Sequence, residues 1–400
     1  MSSHAISASP AAGANSGVNP LWAKLPLILI VVGGLGAAFD AFTNSAQFGY
    51  SYLTAFMFFL SLCLGSLFLV LMHHLFDAGW SVPIRRFLEH IAFLLPVMGL
   101  LFLPIAFLAK TIYPWMTIDP HTDHALHAKV ALFNTKAFYV VAAALFAIWT
   151  LLTYKLRAWS LKQDQTGSAE CTKALRKWAA GGIFIFAFSL TLAAIYWMKS
   201  IQHQFFSTMY GVYYFAGSVW TTLATAYVIA LAMKATGRIP VLHRRQFHDL
   251  GQLLLVFTVF YAYIHFSQYF LIWNAAVPEE TFWYVLREKG TWWYVGMIII
   301  FGHFLVPFLS LLRIDAKLKI GLMVPLGLWA WLMHYCDMQF NVMPHFHPDG
   351  LALCLTDLSC VAFIGGVLAF VFLKYFNRHA PYPQKDPRFA ESIAGSESHD

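Results

Sequence analysis

The chain has 400 residues, of which 59% are hydrophobic and only 11% are charged, and its mean hydropathy is +0.62. A soluble globular domain has about 25% charged residues to cover its surface. The composition therefore excludes a soluble globular protein and predicts an all-α membrane protein with several spans. The net charge of +7 would suit a nucleic-acid partner, but the distribution of the basic residues along the chain instead indicates the orientation of the spans in the membrane.

The chain divides into two tails and a membrane domain. Residues 1–20 contain no Lys or Arg, so they lack the positive region of a signal peptide, and we predict a disordered cytoplasmic tail. The membrane domain covers 21–376, and 377–400 forms a second cytoplasmic tail. Ten apolar spans of about 20 residues or more lie between the tails, each long enough to cross the hydrocarbon core. Their approximate limits are 25–45, 50–76, 87–109, 134–154, 177–199, 209–233, 248–274, 291–312, 318–337 and 354–375.

Basic residues predict the orientation of these spans. Most of the 26 Lys and Arg residues fall in alternate connections, which places those connections and both termini on the cytoplasmic side. We expect a multi-pass protein of the bacterial inner membrane, in contact with lipids. The positive charge then reflects topology, and no nucleic-acid partner is expected.

An internal repeat predicts the architecture. A shift of 160 residues aligns residues of like type: Tyr50 with Tyr210, Arg85 with Arg245, and Glu89 with Asp249. An even number of spans separates the copies, so they are parallel and related about the membrane normal. The prediction is two four-helix bundles, helices 2–5 and helices 6–9, with helices 1 and 10 flanking them. The repeat halves cover about 48–200 and 208–340.

Cofactor motifs are missing from the sequence. The five cysteines form no CxxC or CxxCH motif, which argues against a covalent haem or a cysteine-ligated cluster in this chain. The histidines and acids of 119–127 do not have a zinc spacing, so no metal is expected. A haem between His73 or His74 and His90 is also not expected, because no small residues make room for it.

Helix 7 carries the most informative polar residue. His265 lies deep in that span, with Tyr261 one turn before it and Tyr269 one turn after it. An intramembrane histidine is costly and usually faces the protein interior or a water-filled cavity. We predict a proton relay or a quinone-headgroup contact, the alternative being a packing histidine. His303 lies near the middle of helix 8, and Pro307 one turn later should kink the helix and free a carbonyl near His303.

Titratable groups at other depths could complete a proton path. Glu89, His90 and Asp249 lie at the inner ends of helices 3 and 7, and Asp337 lies near the outer end of helix 9. An alternative for the inner acids is favourable interaction with a helix dipole. The proton-transfer candidates are thus His265, His303, Glu89, His90, Asp249, Asp337, Tyr261 and Tyr269, with no catalytic residue predicted.

Three stretches carry a family resemblance. They are YSYLTAFMFFLSLCLGSLFLVLMHH at 50–74, YWMKSIQHQFFSTMYGVYYFAGS at 196–218 and HFSQYFLIWNAAVPEE at 265–280. They resemble the ActF-type membrane subunit of alternative complex III, a member of the NrfD/polysulfide-reductase membrane-anchor family. The resemblance implies two four-helix bundles with two further helices, in a respiratory quinol:cytochrome c oxidoreductase.

The resemblance also implies partners and their cofactors. An iron–sulfur subunit and multihaem cytochrome c subunits would carry the clusters and the c haems, while an ActC-type paralogue would hold the quinol pocket. Quinone or menaquinone would therefore belong to the complex. The sequence departs from the pattern at residues 196–200, YWMKS, where related sequences have Asp-Trp before the Ser.

Three functions follow from these observations. The first is an integral subunit of a quinol oxidoreductase that accepts no electrons itself, has a structural role and conducts protons. The second is a subunit that itself binds and oxidises quinol at the outer end of helices 2–5. The third is a secondary transporter with parallel repeats, although no matching pair of broken helices is evident.

Overall fold

The computed structural model describes residues 20–394, and this part of the chain contains helices and no strands. The fold class is therefore all-α, as predicted. The predicted disordered tail lies outside the described residues, except for Pro20, which begins the first helix.

Ten long helical segments form the body of the protein. They are α1 Pro20–Thr43, α2 Ser45–Phe76, α3 Gly79–Phe107, α4 Thr135–Thr166, α5 Ala169–Trp197, α6 Tyr210–Ala235, α7 Arg244–Ala275, α8 Trp292–Leu311, α9 Ile320–Val342 and α10 Leu355–Phe376. Four shorter α-helices in the described part of the chain are Ala109–Ile112, His124–His127, Pro278–Arg287 and Phe389–Ala394.

Nine of these segments are long and apolar enough to cross a membrane within the described residues, which makes this a multi-pass membrane protein. The exception is α9, whose 23 residues include the buried His334 and Asp337. Both side chains lower the hydropathy of the helix, although its length suffices to span the hydrocarbon core. The predicted number of ten membrane spans is therefore not confirmed.

Proline explains the breaks in the regular helices. In α3, Pro96 and Pro104 each follow the first residue of a new helical segment, at Leu95–Leu101 and Leu103–Phe107. Proline lacks an N–H and its ring clashes with the carbonyl one turn earlier, so the helix restarts at each proline.

The helices pack as two four-helix bundles. In the first bundle α2 contacts α3 and α5, and α4 also contacts α3 and α5. The second bundle repeats this pattern four helices later, because α6 contacts α7 and α9, and α8 contacts α7 and α9. The flanking pair α1 and α10 pack together, and α10 rests on α2. The two bundles and the flanking helices agree with the architecture predicted from the repeat.

The two bundles meet along α2 and α6, the most buried spans. The Tyr214 hydroxyl donates to the Met57 carbonyl at 2.7 Å, and the Thr222 hydroxyl donates to the Leu62 carbonyl at 3.2 Å. Gly65 allows this close approach, since a Cβ there would lie 2.9 Å from the Ser218 carbonyl carbon. The interface is thus held by small residues and interhelical hydrogen bonds, as is common in membranes.

The connections divide between two faces of the helix array. We call the face formed by 77–78, 167–168, 236–243 and 312–319 the basic face, and the other the opposite face. The C-terminal segment 377–394 packs on the basic face, where Asp386 lies 2.5 Å from the buried Arg85. The side chain of Gln246 on α7 donates to the Ser392 carbonyl of the same segment at 3.3 Å. The C-terminal segment, which was predicted as a cytoplasmic tail, therefore contacts both the first bundle and the second.

Candidate functional site

The candidate site is a buried group of polar side chains inside the second bundle. The Tyr213 hydroxyl on α6 donates to the Asp337 carboxylate on α9, and it lies 3.2 Å from the Tyr261 hydroxyl on α7. The three side chains are between 1% and 3% exposed. Such burial requires hydrogen-bond partners, because an unsatisfied polar group in an apolar interior costs several kcal/mol. The helices α6, α7 and α9 therefore each supply a side chain that hydrogen-bonds a buried polar group on a neighbouring helix.

Asn341 lies one turn beyond Asp337 and completes the surroundings of the carboxylate. Its amide nitrogen donates to Asp337 Oδ1 at 3.2 Å and to the Tyr213 hydroxyl at 3.0 Å. Its amide oxygen accepts from the Tyr210 hydroxyl at 2.9 Å. Within the described residues, Asp337 forms no ion pair with a Lys, Arg or His. Neutral donors alone surround this buried carboxyl, so it can hold or release a proton without breaking an ion pair.

His265 extends the hydrogen-bonded group towards α8. Its Nδ1 atom lies 3.5 Å from the Tyr261 hydroxyl, and its ring lies 5.4 Å from that of Tyr213. Tyr269 behaves differently, since it is 38% exposed and its hydroxyl points to Glu288 at 3.4 Å. The structure brings His265, Tyr261 and Asp337 together, as the sequence suggested for the first two, and leaves Tyr269 at the edge.

His303 is stacked between two aromatic rings. Its ring centroid is 3.8 Å from that of Trp220 on α6 and 3.7 Å from that of Tyr261. Neither ring nitrogen has a hydrogen-bond partner in the described part of the chain. His334 on α9 follows at 6.4 Å between ring centroids, and its Nε2 is 2.8 Å from the Ser61 hydroxyl of α2. The titratable groups thus reach the interface between the bundles.

Pro307 shapes α8 beside His303. Seven residues, Ile299–Leu305, form a π-helical turn in which the Val306 N–H donates to the Phe301 carbonyl. This leaves the Gly302 carbonyl free of the helix, and the Trp329 indole donates to it at 2.8 Å. The prediction of a freed carbonyl near His303 is confirmed. π-bulges of this kind often occur at functional sites.

The candidates near the basic face lie apart from this group. Glu89 on α3 belongs to the first bundle and forms ion pairs with Arg85 and Arg86, both at 3.0 Å. His90, the next residue, packs its ring against Phe372, Phe376 and His379. The structure therefore gives Glu89 a set of fixed ionic partners and does not place it or His90 next to His265.

Asp249 is the counterpart of Glu89 in the repeat, and it also pairs with the arginine one turn earlier. The Arg245 to Asp249 distance is 3.9 Å, and both side chains are partly exposed. Asp249 lies 16 residues before His265 on the same helix, or about 24 Å at 1.5 Å per residue. Direct proton transfer between them is excluded by this distance.

A cavity of about 520 Å³ lies between α7 and α8 beside the polar group. Its lining includes His265, Tyr261, Tyr269 and Arg287. Across the described residues no group of three or more His, Cys, Asp or Glu side chains could hold a metal ion. The predicted absence of a metal stays a prediction.

Sequence reasoning missed several members of the site. Tyr213, Asn341, Trp220 and His334 are not among the proton-transfer candidates predicted from the sequence. The aromatic run at 210–214 and the turn spacing of 334, 337 and 341 were the available signals. Neither signal identifies partners on other helices.

Comparison with known proteins does not establish a family. No protein-family model matches the chain, and no curated protein matches it. The resemblance to the ActF-type subunit therefore stays a prediction, and so do the partners and cofactors that it implies.

Proposed function

We propose that this chain is an integral, non-redox subunit of a respiratory quinol:cytochrome c oxidoreductase, with a structural role and a proton-conducting second bundle. The complex would lie in the bacterial inner membrane with both termini of the chain in the cytoplasm. Iron–sulfur and multihaem cytochrome c subunits, together with an ActC-type paralogue, would carry the electrons. The sequence resemblance and the absence of cysteine motifs support this assignment.

The observation that carries the proton role is the hydrogen-bonded series His265–Tyr261–Tyr213–Asp337. Every member can both give and receive a proton, which stepwise proton transfer requires. Ionisable residues inside a membrane are rare and usually mark ion pathways or proton relays. A purely structural cluster would be expected to neutralise a buried carboxylate with a basic partner, and none is paired with Asp337 in the described residues.

The series has a defined extent. Asp337 lies five residues from the end of α9 and His265 ten residues from the end of α7, which corresponds to depths of about 8 Å and 15 Å from the opposite face. The rings of His303 and His334 lie between this series and Ser61, but neither ring is hydrogen-bonded to the series among the described residues. The proposed relay therefore serves the half of the membrane nearer the opposite face.

The experiment uses the assembled complex, purified through a tag on this chain and reconstituted into liposomes that contain a pH-sensitive dye. Co-purification of iron–sulfur and multihaem chains tests the assignment to a complex. Asp337→Asn retains the size of the side chain and an oxygen that can accept from Tyr213 and Asn341, but removes the titratable carboxyl proton. We expect intact assembly and quinol oxidation, with proton translocation per quinol reduced by about tenfold or more, since a positioned proton-transfer group contributes about 10²–10⁴-fold.

His265→Phe should give the same result, and Asp315→Asn is the matched control because Asp315 is exposed on the basic face. Unchanged translocation in Asp337→Asn would refute the relay. Failure of His265→Phe to assemble would make His265 a packing residue, and loss of quinol oxidation in an assembled variant would favour a quinol site in this chain.

A further inference from the structure

Another cavity lies where the two bundles meet the flanking helix α10, and we call it the α10 cleft. It has a volume of about 350 Å³ and is lined by residues of five helices, among them Cys63, Ile91, Thr225, Trp331 and Phe372. Leu328 of α9 also lines it and is 66% exposed. This leucine lies eight residues into α9, about 12 Å from its start and thus at the depth of the lipid tails. The cleft therefore opens to the hydrocarbon of the bilayer.

Among the described residues, the lining of the cleft offers hydrocarbon and no free hydrogen-bonding side chain. The Thr225 hydroxyl donates to the Thr221 carbonyl at 2.7 Å and accepts from the Trp331 indole, also at 2.7 Å. Cys63 is fully buried, and its thiol is only a weak donor. A polar ring or headgroup inside the cleft would lose its hydrogen bonds to water without replacement. The part of a ligand that occupies the cleft is therefore a hydrocarbon chain.

The size and depth of the cleft indicate a single acyl chain. Two turns of a partner helix about 10 Å wide would fill roughly 850 Å³, which is far more than the cleft holds. The cleft extends from Phe372, four residues before the end of α10, to Thr225, ten residues before the end of α6, or from about 6 Å to about 15 Å below the basic face. This is half of the hydrocarbon core of about 30 Å, the half that a phospholipid of the adjacent leaflet fills.

The basic face provides a positive charge at the end of the cleft. Phe372 in the cleft stacks on Phe376 with 5.7 Å between the ring centroids, and the Arg238 guanidinium lies 5.7 Å from the Phe376 ring. Arg238 also donates to the side-chain oxygen of Asn377 at 2.9 Å. Both partners are neutral, and Arg238 forms no ion pair with a carboxylate in the described part of the chain. Its charge is therefore available to an anion.

The sequence around Arg238 contains no acid that would compete for this charge. No Asp or Glu occurs in residues 171–248, which include α6 and its basic end, or in residues 358–385, which include most of α10. Lys374 and Arg378 lie at the same end of α10 and are exposed. Basic residues next to the membrane attract anionic lipids, and basic pockets between spans bind their headgroups. An anionic headgroup is therefore favoured over a zwitterionic one.

We propose that the α10 cleft and Arg238 form one binding site for an anionic phospholipid. One acyl chain fills the cleft, and the phosphate accepts hydrogen bonds from the Arg238 guanidinium. The bound lipid contacts helices of both bundles and α10, so it stabilises their arrangement. Binding is measured without quinol or a proton gradient, and the site lies apart from the proton relay. The two proposals therefore fail independently of each other.

The test is thermal unfolding of the full chain in detergent, with and without added lipid. Dioleoyl phosphatidylglycerol is the anionic probe, and dioleoyl phosphatidylcholine has the same acyl chains with a zwitterionic headgroup. A ligand that binds only the folded state raises the midpoint temperature, so we expect phosphatidylglycerol to act at lower concentrations than phosphatidylcholine. Inorganic phosphate should have no effect, because it lacks the acyl chain. Equal stabilisation by the two lipids, or stabilisation by phosphate alone, would overturn the proposal.

The headgroup contact is tested with a matched pair of arginine variants. Arg238→Gln should raise the phosphatidylglycerol concentration for half-maximal stabilisation by about fivefold, which is the effect of one basic residue beside an anionic lipid. Arg313→Gln is the control, because it removes the same charge from the basic face but Arg313 already pairs with Asp315 at 3.1 Å. Equal effects of the two variants would mean that the lipid responds only to the overall charge of this face, and the site would be wrong.

The acyl-chain contact is tested with a second pair, on α9. Leu328→Trp narrows the lipid-facing side of the cleft and should weaken stabilisation by phosphatidylglycerol. Leu332→Trp is its control, because Leu332 lies one turn later, is 52% exposed and does not line the cleft. If the two tryptophan variants respond alike to the lipid, no acyl chain enters the cleft and the proposal is refuted.

Discussion

Gly65→Ala tests whether the close approach of α2 and α6 holds the two bundles together. The added Cβ would lie 2.9 Å from the Ser218 carbonyl carbon, and closer still to the carbonyl oxygen and to the Thr222 hydroxyl. A backbone atom cannot rotate away as a side chain can. The methyl group must therefore push the helices apart and weaken the Thr222 hydrogen bond to the Leu62 carbonyl.

The expected size of the effect follows from two opposing contributions. Overpacking a well-packed core costs about 1–3 kcal/mol, whereas replacing a helical glycine by alanine favours folding by about 0.5–1 kcal/mol. Gly181→Ala is the matched control, because an added Cβ there meets nothing within 4 Å. We expect Gly65→Ala to be less stable than the parent protein and Gly181→Ala to be at least as stable as it.

The assay is thermal unfolding in detergent, followed with a thiol-reactive fluorophore. Cys63 and Cys360 are fully buried, so they react when the bundles open. A midpoint temperature for Gly65→Ala that equals or exceeds that of Gly181→Ala would refute the interpretation of Gly65 as the contact that sets the spacing of the bundles.

Two further predictions concern charged groups. Arg85→Met should destabilise the protein by about 3–5 kcal/mol, because it removes the arginine partner of Asp386 and one of the two arginine partners of the buried Glu89 carboxylate. Its repeat counterpart Arg245→Met should cost less than about 1 kcal/mol, because that ion pair is exposed; equal losses in thermal stability would contradict the burial argument. Burial, with a contribution from a neighbouring lysine, lowers the pKa of Lys199 to about 8, so its neutral form appears at a lower pH than in an ordinary lysine. Acetylation followed by mass spectrometry should show half-maximal reactivity near pH 8, and a midpoint near the ordinary value of about 10.4 would exclude this shift.

The sequence was sufficient for the helical membrane architecture. Long apolar runs identify spans because lipid offers no hydrogen bonds to the backbone, so each segment must form a helix. The internal repeat aligns Arg85 and Glu89 of α3 with Arg245 and Asp249 of α7. In the structure, the arginine and the acid form an ion pair in each helix. Pro307 likewise predicted a freed carbonyl, since the missing N–H is a property of one residue.

Only the tertiary structure decided which polar side chains meet. Tyr213 and Asp337 are 124 residues apart, and the sequence does not show how α6 and α9 are rotated about their axes. It also gave Glu89 and Asp249 similar roles, whereas packing buries one with two arginines and leaves the other partly exposed. Hydropathy and local spacing are properties of single segments, while contacts between segments depend on helix rotation and depth, which the packing of all neighbouring side chains determines together.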